Sequence, residues 1–172
     1  AGRPLVLAGV ELPAPRGPIA HSDGDVLCHA IVDALLGAAA LGDIGRHFPD
    51  TDPKWKGAAS DQVLIHAVKL VEDAGFSLVN VDTTVILERP KLKDYRLPVR
   101  EKVASLLGLP LECVSVKFKT SEKVGPVGEG AISHEHQFVG CPAAIAVPRC
   151  LCGFQFSDFA FQPGLVAVPL LD

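Results

Sequence analysis

The chain has 172 residues, which suits one compact domain, since domains of about 100 to 200 residues are the usual unit. Its 16 Lys and Arg against 20 Asp and Glu give a net charge of −4, so no overall positive field attracts nucleic acid and any phosphate must be bound locally. No apolar run reaches the roughly 18 residues of a membrane span. The five cysteines form an odd set without the spacing of a disulfide framework. We therefore expect a soluble protein of a reducing compartment that binds neither nucleic acid nor a membrane.

The first strand and the first helix are predicted from the spacing of apolar residues and from the Pro and Gly residues that end each segment. Residues 4–12 are branched and apolar and are followed by a proline-rich stretch, which predicts one strand and then a turn. A helical apolar pattern follows Ser22 and Asp23, either of which suits an N-cap, and runs to the Gly42 region. These patterns predict a strand followed by a first helix.

The middle of the chain continues this alternation of loops, helices and strands. Residues 47–57 have the Pro, Asp and Gly content of an exposed loop, and a second helix is expected from Ser60, as its cap, to Gly75. Residues 79–87 alternate and are rich in β-branched side chains, which predicts a strand.

The next elements complete the predicted fold. A third helix is expected over residues 100–107, after a stretch punctuated by prolines, and period-two apolar residues over 114–118 predict another strand. The order predicts an α+β, or layered α/β, fold: a mixed sheet with helices on one face.

The composition changes after Gly130. No Lys occurs beyond Lys123, and residues 133–172 hold five of the eight Phe and three of the five Cys. We therefore predict a domain over residues 1–147 and an atypical, dispensable apolar tail over 148–172. The His and Cys residues of this region lack a C-x-x-C pair, which argues against a second zinc site.

The most informative motif reads His21-Ser22-Asp23-Gly24-Asp25 and continues to His29. On a helix, His21, Asp25 and His29 would lie on one stripe, since residues four apart are neighbours on its surface. Two imidazoles and a carboxylate there favour a metal or phosphate site, whereas the alternative is a capped helix start with an incidental His. Asp25 and Asp33 are equally compatible with capping, with support of a ligand and with direct contact.

Three further motifs are each compatible with an ordinary surface loop. Residues 41–53 combine Gly with carboxylates that could bind ribose hydroxyls or a cation. Residues 88–92 end a strand with a proline turn and a basic side chain. Residues 117–125 offer ammonium groups and hydroxyls, which are good donors to phosphate oxygens.

In order and spacing, these motifs together resemble those of 2-C-methyl-D-erythritol 2,4-cyclodiphosphate synthases. The resemblance covers residues 2 to about 131 and rests on the His21 motif, on Gly-Asp-Ile-Gly followed by Phe-Pro-Asp-Thr-Asp-Pro, on the Pro-Lys turn and on Lys-Thr-Ser-Glu-Lys, closed by Gly-Glu-Gly at 128–130. It implies a phosphorus-oxygen lyase of the non-mevalonate isoprenoid pathway. Such an enzyme converts 4-diphosphocytidyl-2-C-methyl-D-erythritol 2-phosphate into 2-C-methyl-D-erythritol 2,4-cyclodiphosphate and CMP.

The resemblance also implies roles for individual residues. His29 matches a ligand of one Zn²⁺ per site, and a Mg²⁺ or Mn²⁺ ion would bridge the diphosphate. His21 and Thr120 match positions that stabilise the transition state, while residues 87–93 match the cytosine pocket and residues 119–122 the nucleotide phosphates. The implied substrate contacts are His21, Ser22, Asp43, Ile44, Gly45, Phe48, Pro49, Asp50, Thr51, Asp52, Leu87, Glu88, Arg89, Pro90, Lys91, Leu92, Lys93, Lys119, Thr120, Ser121 and Glu122.

The family's assembly and three departures from its pattern complete the expectations. The family usually ends in a short apolar strand soon after Gly130, and only residues 143–147 fit that strand here. The resemblance implies a homotrimer with shared active sites, in bacterial cytoplasm or a plastid. The family's Asp-x-His segment, which supplies two more zinc ligands, would precede Ala1. Pro126 stands where the family often has Phe, and residues 124–130 lack its Arg, which weakens the expectation that a central cavity takes isoprenoid diphosphates.

Two other interpretations remain open. The first is a metal-dependent phosphohydrolase built on His21, Asp25 and His29, which would release inorganic phosphate. The second is a nucleotide-binding module without catalysis, which would bind CMP without turnover.

Overall fold

The computed structural model describes residues 4–14, 22–55, 57–124 and 138–148. In chain order these form β1 (Leu5–Leu7), β2 (Val10–Leu12), α1 (Val26–Ala38), α2 (Ile44–His47), α3 (Ser60–Asp73), β3 (Phe76–Ile86), α4 (Arg96–Leu107), β4 (Val114–Lys119) and β5 (Phe138–Pro148). Short 3-10 turns at Lys93–Tyr95 and Leu111–Cys113 precede α4 and β4. Helices and strands are mixed along the chain, which confirms the α+β class.

Residues 4–12 form a hairpin, so the prediction of one strand is wrong. β1 pairs antiparallel with β2, with Leu5 opposite Leu12. The turn between them places Ala8 at φ 50 and Gly9 at φ 74, and two consecutive positive φ values are what a two-residue hairpin turn needs. Ala8 concealed this turn in the sequence because a non-glycine residue rarely adopts that conformation.

Helix α1 begins later than predicted, because its N-cap is Asp25 and not Ser22 or Asp23. The buried Asp25 carboxylate accepts hydrogen bonds from the backbone N–H of Cys28 at 3.1 Å and of Gly9 at 2.7 Å. It therefore joins the hairpin turn to the helix start. The prediction that His21, Asp25 and His29 share a helix face is wrong, since Asp25 precedes the helix and faces Gly9; His21 lies outside the described residues.

The segment between the first two long helices, α1 and α3, contains the short helix α2 and is not only a polar loop. Asp43 caps α2 by accepting from the backbone N–H of Arg46 at 2.9 Å. Asp33 of α1 accepts from the N–H of Ile44 at 2.8 Å. The prediction that Ser60 caps α3 is wrong by one residue, since Ala59 is the cap and Ser60 opens the helix.

The main sheet has the order β4-β3-β5. β3 runs parallel to β4, from Val81 opposite Val114 to Ile86 opposite Lys119, and antiparallel to β5, with Phe76 opposite Pro148. This confirms the mixed sheet. The predicted strand at 143–147 lies within β5.

One face of the sheet is buried against the helices. Along β3, Val81, Thr83 and Val85 are buried while the residues between them are half-exposed, as the period of a strand requires. Helices α1, α3 and α4 contact β5, β3 and β4 respectively. The helices therefore cover one face, as predicted.

Three smaller points concern Cys28, membrane spans and the domain boundary. Cys28 is buried in α1, where burial raises the pKa of its thiol well above the usual range, so it serves as a small apolar residue. In the described part of the chain, no helix is long and apolar enough to cross a membrane. The domain boundary after residue 147 stays a prediction, because residues 149–172 lie outside the described ranges.

Candidate active site

The motifs at residues 88–92 and 117–125 meet at the end of the sheet where β3 and β4 terminate. β3 and β4 are parallel neighbours, so the segments that follow them leave the sheet side by side, and the N–H of Leu87 donates to the carbonyl of Lys119 at 3.0 Å. Between them lies a cavity of about 310 Å³. We call it the cationic cavity; its lining residues are Leu87, Lys91, Leu92, Lys93, Arg96, Phe118, Lys119, Thr120 and Glu122.

The charges of the cationic cavity favour an anion. Three Lys and Arg96 line it against the single carboxylate of Glu122. The sequence did not indicate Arg96 as a site residue. The third helix was predicted to start at Arg100, because Pro98 was taken as part of the preceding loop. Pro98 instead occupies the first turn of α4, where the missing N–H costs nothing.

A tight turn beyond β4 carries the candidate catalytic residue Thr120. The Thr120 hydroxyl donates to the Glu122 carboxylate, and the N–H of Val124 donates to the carbonyl of Ser121 at 2.9 Å. Glu122 and Lys123 both have positive φ, at 52 and 62. Thr120 and Glu122 line the cationic cavity, so the shape of this turn sets their positions there.

Glu88 holds the same turn from the neighbouring strand end. Its Oε1 atom accepts from the N–H of Lys123 at 3.0 Å and from the hydroxyl of Ser121 at 3.3 Å. The hydrogen bond from the Lys123 N–H holds the pKa of Glu88 below its usual value. Glu88 is therefore ionised at neutral pH, with its carboxylate on the turn.

The His21 motif contributes to a second cavity, of about 260 Å³, which we call the Ser22 cavity. It is lined by Pro4, Val6, Ser22, Asp23 and Gly57. Ser22 accepts from the N–H of Gly24 at 3.2 Å. The lining sets of the two cavities have no member in common among the described residues.

His29 lies next to the Ser22 cavity through a chain of polar contacts. Its Nε2 atom lies 3.1 Å from the hydroxyl of Ser60, which donates to the Asp23 carboxylate, and Asp23 also accepts from the N–H of Ser60 at 2.8 Å. Burial raises the pKa of Asp23, but the hydrogen bonds from Ser60 outweigh it and leave the pKa below the usual value. Asp23 is thus an anion beside the imidazole.

These residues fit one ligand of a zinc ion and not a complete shell. His29 offers a half-exposed imidazole on a rigid helix, which suits a metal. Over the described ranges, no group of three or more His, Cys, Asp or Glu is placed to hold an ion. A catalytic zinc takes about three protein ligands, so the described residues alone do not make the site.

The predicted substrate segment at 43–52 is only partly available to a ligand. Gly45, Asp50 and Thr51 are exposed, with Ile44 and Pro49 half-buried. The ring of Phe48 is buried edge-on against Trp55 and against His66, at centroid distances of 4.8 and 5.7 Å.

The two acidic side chains of that segment stabilise local backbone. Asp43 caps α2, and Asp52 accepts from the N–H of Lys54 at 2.9 Å. Among the described residues, this segment contributes to neither cavity.

Taken together, these features define a small α+β protein with a cationic cavity suited to a phosphorylated ligand. The chain belongs to the YgbB family, whose model matches residues 1–139. It is 58% identical, over 138 residues, to the 2-C-methyl-D-erythritol 2,4-cyclodiphosphate synthase of Solibacter usitatus (strain Ellin6076), covering 80% of this chain and 87% of the relative.

Two further similarities agree with this membership. The enzyme of the same name from Chlorobaculum tepidum is 56% identical over 135 residues, which covers 77% of this chain and 86% of that protein. A solved structure of a 2C-methyl-D-erythritol-2,4-cyclodiphosphate synthase, in its CDP-bound form, has a TM-score of 0.68 and 47% identity, and covers 70% of this chain and 81% of that one. The family resemblance inferred from the motifs is therefore confirmed.

Proposed function

We propose that the protein is a 2-C-methyl-D-erythritol 2,4-cyclodiphosphate synthase. It converts 4-diphosphocytidyl-2-C-methyl-D-erythritol 2-phosphate into the 2,4-cyclodiphosphate and CMP, a step of isoprenoid synthesis. The observation that carries this proposal is the cationic cavity, where the two strand-end motifs meet, in a chain 58% identical to an enzyme of that name. The CDP-bound form of a relative supports a CDP-linked small molecule as the ligand.

The reaction joins two phosphates within one substrate. An oxygen of the 2-phosphate attacks the β-phosphorus of the CDP group, the bond from that phosphorus to the α-phosphate bridging oxygen breaks, and CMP leaves with the bond's electrons. Phosphoryl transfer of this kind needs positioning and neutralisation of charge more than a protein nucleophile. The ammonium groups of the cationic cavity supply that neutralisation. The single proton of the Thr120 hydroxyl, which is donated to Glu122 in the free protein, is donated to an equatorial oxygen when the substrate is bound.

The remaining residues of the cationic cavity bind and orient the nucleotide. Leu87 and Leu92 provide apolar surface for a pyrimidine, and backbone groups of the 87–93 segment read its edge. Lys91 and Lys93 attract the phosphates beside it. His21, Ser22 and the 43–52 segment hold the erythritol phosphate in this proposal, on the evidence of the family motifs.

Metal dependence is also part of the proposal. His29 would contribute one ligand to a Zn²⁺ ion, and Glu122, with the diphosphate oxygens, offers oxygen ligands suited to Mg²⁺ or Mn²⁺. Such ions, when bound, polarise phosphoryl oxygens and neutralise the charge that builds up during transfer. The Asp23 and Ser60 contacts orient the His29 imidazole for that role.

We further propose a homotrimer in which each active site combines the Ser22 cavity of one subunit with the cationic cavity of its neighbour. The separate lining sets of the two cavities support this arrangement. Mixing His29→Ala with Thr120→Ala subunits should then restore about a quarter of the activity, since one interface in four pairs two intact halves. No recovery in mixed trimers would place both halves in one subunit. The location stays as expected from the sequence, in bacterial cytoplasm or a plastid.

The test of the function is a product analysis. The purified chain, supplied with Zn²⁺ and Mg²⁺, should yield equal amounts of CMP and cyclic diphosphate without inorganic phosphate. Release of inorganic phosphate would favour the phosphohydrolase, and CMP binding without turnover would favour the binding module. Thr120→Ala should reduce turnover strongly, while Asp73→Ala, on the exposed side of α3, serves as the control.

A further inference from the structure

We propose that Glu88 is a positioning residue of the active site, which holds the turn at residues 121–123 and thereby places Thr120 and Glu122 on the wall of the cationic cavity. This inference rests on the proposed function for its activity readouts. The family motif alone would make Glu88 a substrate contact. The structure instead directs its carboxylate to protein donors.

The first support is the geometry of Glu88. A single carboxylate oxygen accepts from two donors of one turn, the Lys123 N–H at 3.0 Å and the Ser121 hydroxyl at 3.3 Å. Those residues are 35 and 33 positions away along the chain. Glu88 does not line the cationic cavity, whereas Leu87 before it and Lys91 after it do. The Glu88 side chain therefore stabilises the turn, and any effect of Glu88 on a ligand in the cationic cavity is indirect.

The second support is the conformation of the turn. Glu122 at φ 52 and Lys123 at φ 62 are two consecutive non-glycine residues in the left-handed region. Such residues persist only where their surroundings hold them. The Lys123 N–H that donates to Glu88 belongs to this strained pair, so the Glu88 contact stabilises the conformation directly.

The third support is the connection from the turn to the reacting groups. The Thr120 hydroxyl donates to Glu122, and both residues line the cationic cavity. If the turn relaxed to negative φ values, Glu122 would swing away and the Thr120 hydroxyl would lose the acceptor that orients it. Loss of the Glu88 side chain should therefore displace the Thr120 hydroxyl, although the hydrogen-bond partners of Glu88 are Ser121 and Lys123.

The test compares Glu88→Ala with Glu88→Gln and with Glu101→Ala, an exposed glutamate of α4, as the matched control. Glu88→Ala should lower kcat/KM about tenfold, mostly through kcat, because charge-assisted hydrogen bonds to the turn are lost. Glu88→Gln keeps an acceptor oxygen and should recover most of that loss. An effect of Glu88→Ala equal to that of Glu101→Ala would overturn the proposal.

A second variant separates positioning from substrate contact. Lys123→Gly removes the cost of a positive φ at that residue. In the Glu88→Ala background it should therefore restore kcat/KM about fivefold, since a left-handed residue costs about 1 kcal/mol and about 1.36 kcal/mol is tenfold in rate. A carboxylate that bound substrate directly could not be replaced by a glycine in the turn. Failure of the double variant to recover any activity would therefore refute the positioning role.

Amide hydrogen exchange keeps this inference distinct from the proposed function. The Lys123 amide should exchange about tenfold faster in Glu88→Ala than in the wild type, because its acceptor is gone. This measurement needs no substrate. If the protein proved inactive on the proposed substrate, faster exchange would still support the hold of Glu88 on the turn at residues 121–123, and unchanged exchange would reject it.

Discussion

The buried Asp25 carboxylate offers the sharpest test of how the fold is held around the His21 motif. Asp25→Ala removes the N-cap of α1, which costs about 1 kcal/mol. It also removes a charge-assisted hydrogen bond to the Gly9 N–H, at 2.7 Å, which contributes about 1.5 to 3 kcal/mol. Removal of a buried carboxylate recovers part of its desolvation cost, so we expect a net loss of about 2 kcal/mol.

Urea unfolding followed by the fluorescence of Trp55, the single tryptophan, measures this loss. The protein concentration must be fixed, because association of subunits shifts apparent stability. Asp73→Ala is the control: that carboxylate is exposed and forms an (i, i+4) pair with Lys69, and its loss should cost at most about 0.5 kcal/mol. A loss for Asp25→Ala no larger than this control would refute the bridging role of Asp25.

The pH dependence of the same carboxylate has a defined sign. Burial raises the pKa of Asp25 and outweighs the backbone hydrogen bonds that lower it. The stability linked to this proton is therefore fully present below the unfolded-state pKa and is lost as pH rises through the folded-state pKa. The free energy of unfolding of the wild type, relative to the non-titrating Asp25→Asn, should fall over that interval. A rise would contradict the direction of the pKa shift.

Three more predictions address the site and the C-terminal region. His29→Ala should abolish zinc-dependent turnover while calorimetry shows nearly unchanged CMP affinity; full turnover in metal-buffered assays would reject the ligand role. Lys91→Ala should weaken CMP binding about fivefold at low salt and less at high salt, and an effect independent of salt would argue against a charge interaction. Truncation after Pro148 should leave folding and activity intact, since β5 ends there; an insoluble product would make residues 149–172 structural.

Much of the fold was predictable because it rests on local periodicity. The alternation over 79–87 overlaps β3 to its last residue, and that over 114–118 lies within β4. The first two predicted helices overlap α1 and α3, although both were predicted to be longer than they are. The motifs at residues 88–92 and 117–125 come at or after the ends of two strands. They meet because those strands, β3 and β4, are parallel neighbours. Periodicity does not indicate the pairing direction of strands, however. Only the family resemblance assigned residues 87–93 and 119–122 to the same nucleotide, and the cationic cavity itself was not predicted.

The errors have specific physical causes. From the sequence, Asp25 could equally share a helix face with His29, four residues later, or be the N-cap of the helix. The hydrogen bond from Gly9, 16 residues upstream, decides in favour of the N-cap. That position depends on the hairpin, which Ala8 concealed. Arg96 was missed because a proline can end a segment or open a helix, and sequence alone did not distinguish the two.

The charge distribution is compatible with a polyanion as the proposed ligand of a mildly acidic protein. The whole chain carries a net charge of −4, yet four cationic side chains converge on the cationic cavity against one carboxylate. Lys91 and Lys93 come from the segment between β3 and α4, Arg96 is the first residue of α4, and Lys119 is the last residue of β4. They therefore form a positive patch only when β3, β4 and α4 pack together. Such a patch attracts phosphates within about a Debye length, roughly 8 Å at physiological salt. Under the proposed function, affinity for CDP-linked ligands therefore depends on correct folding at the ends of β3 and β4.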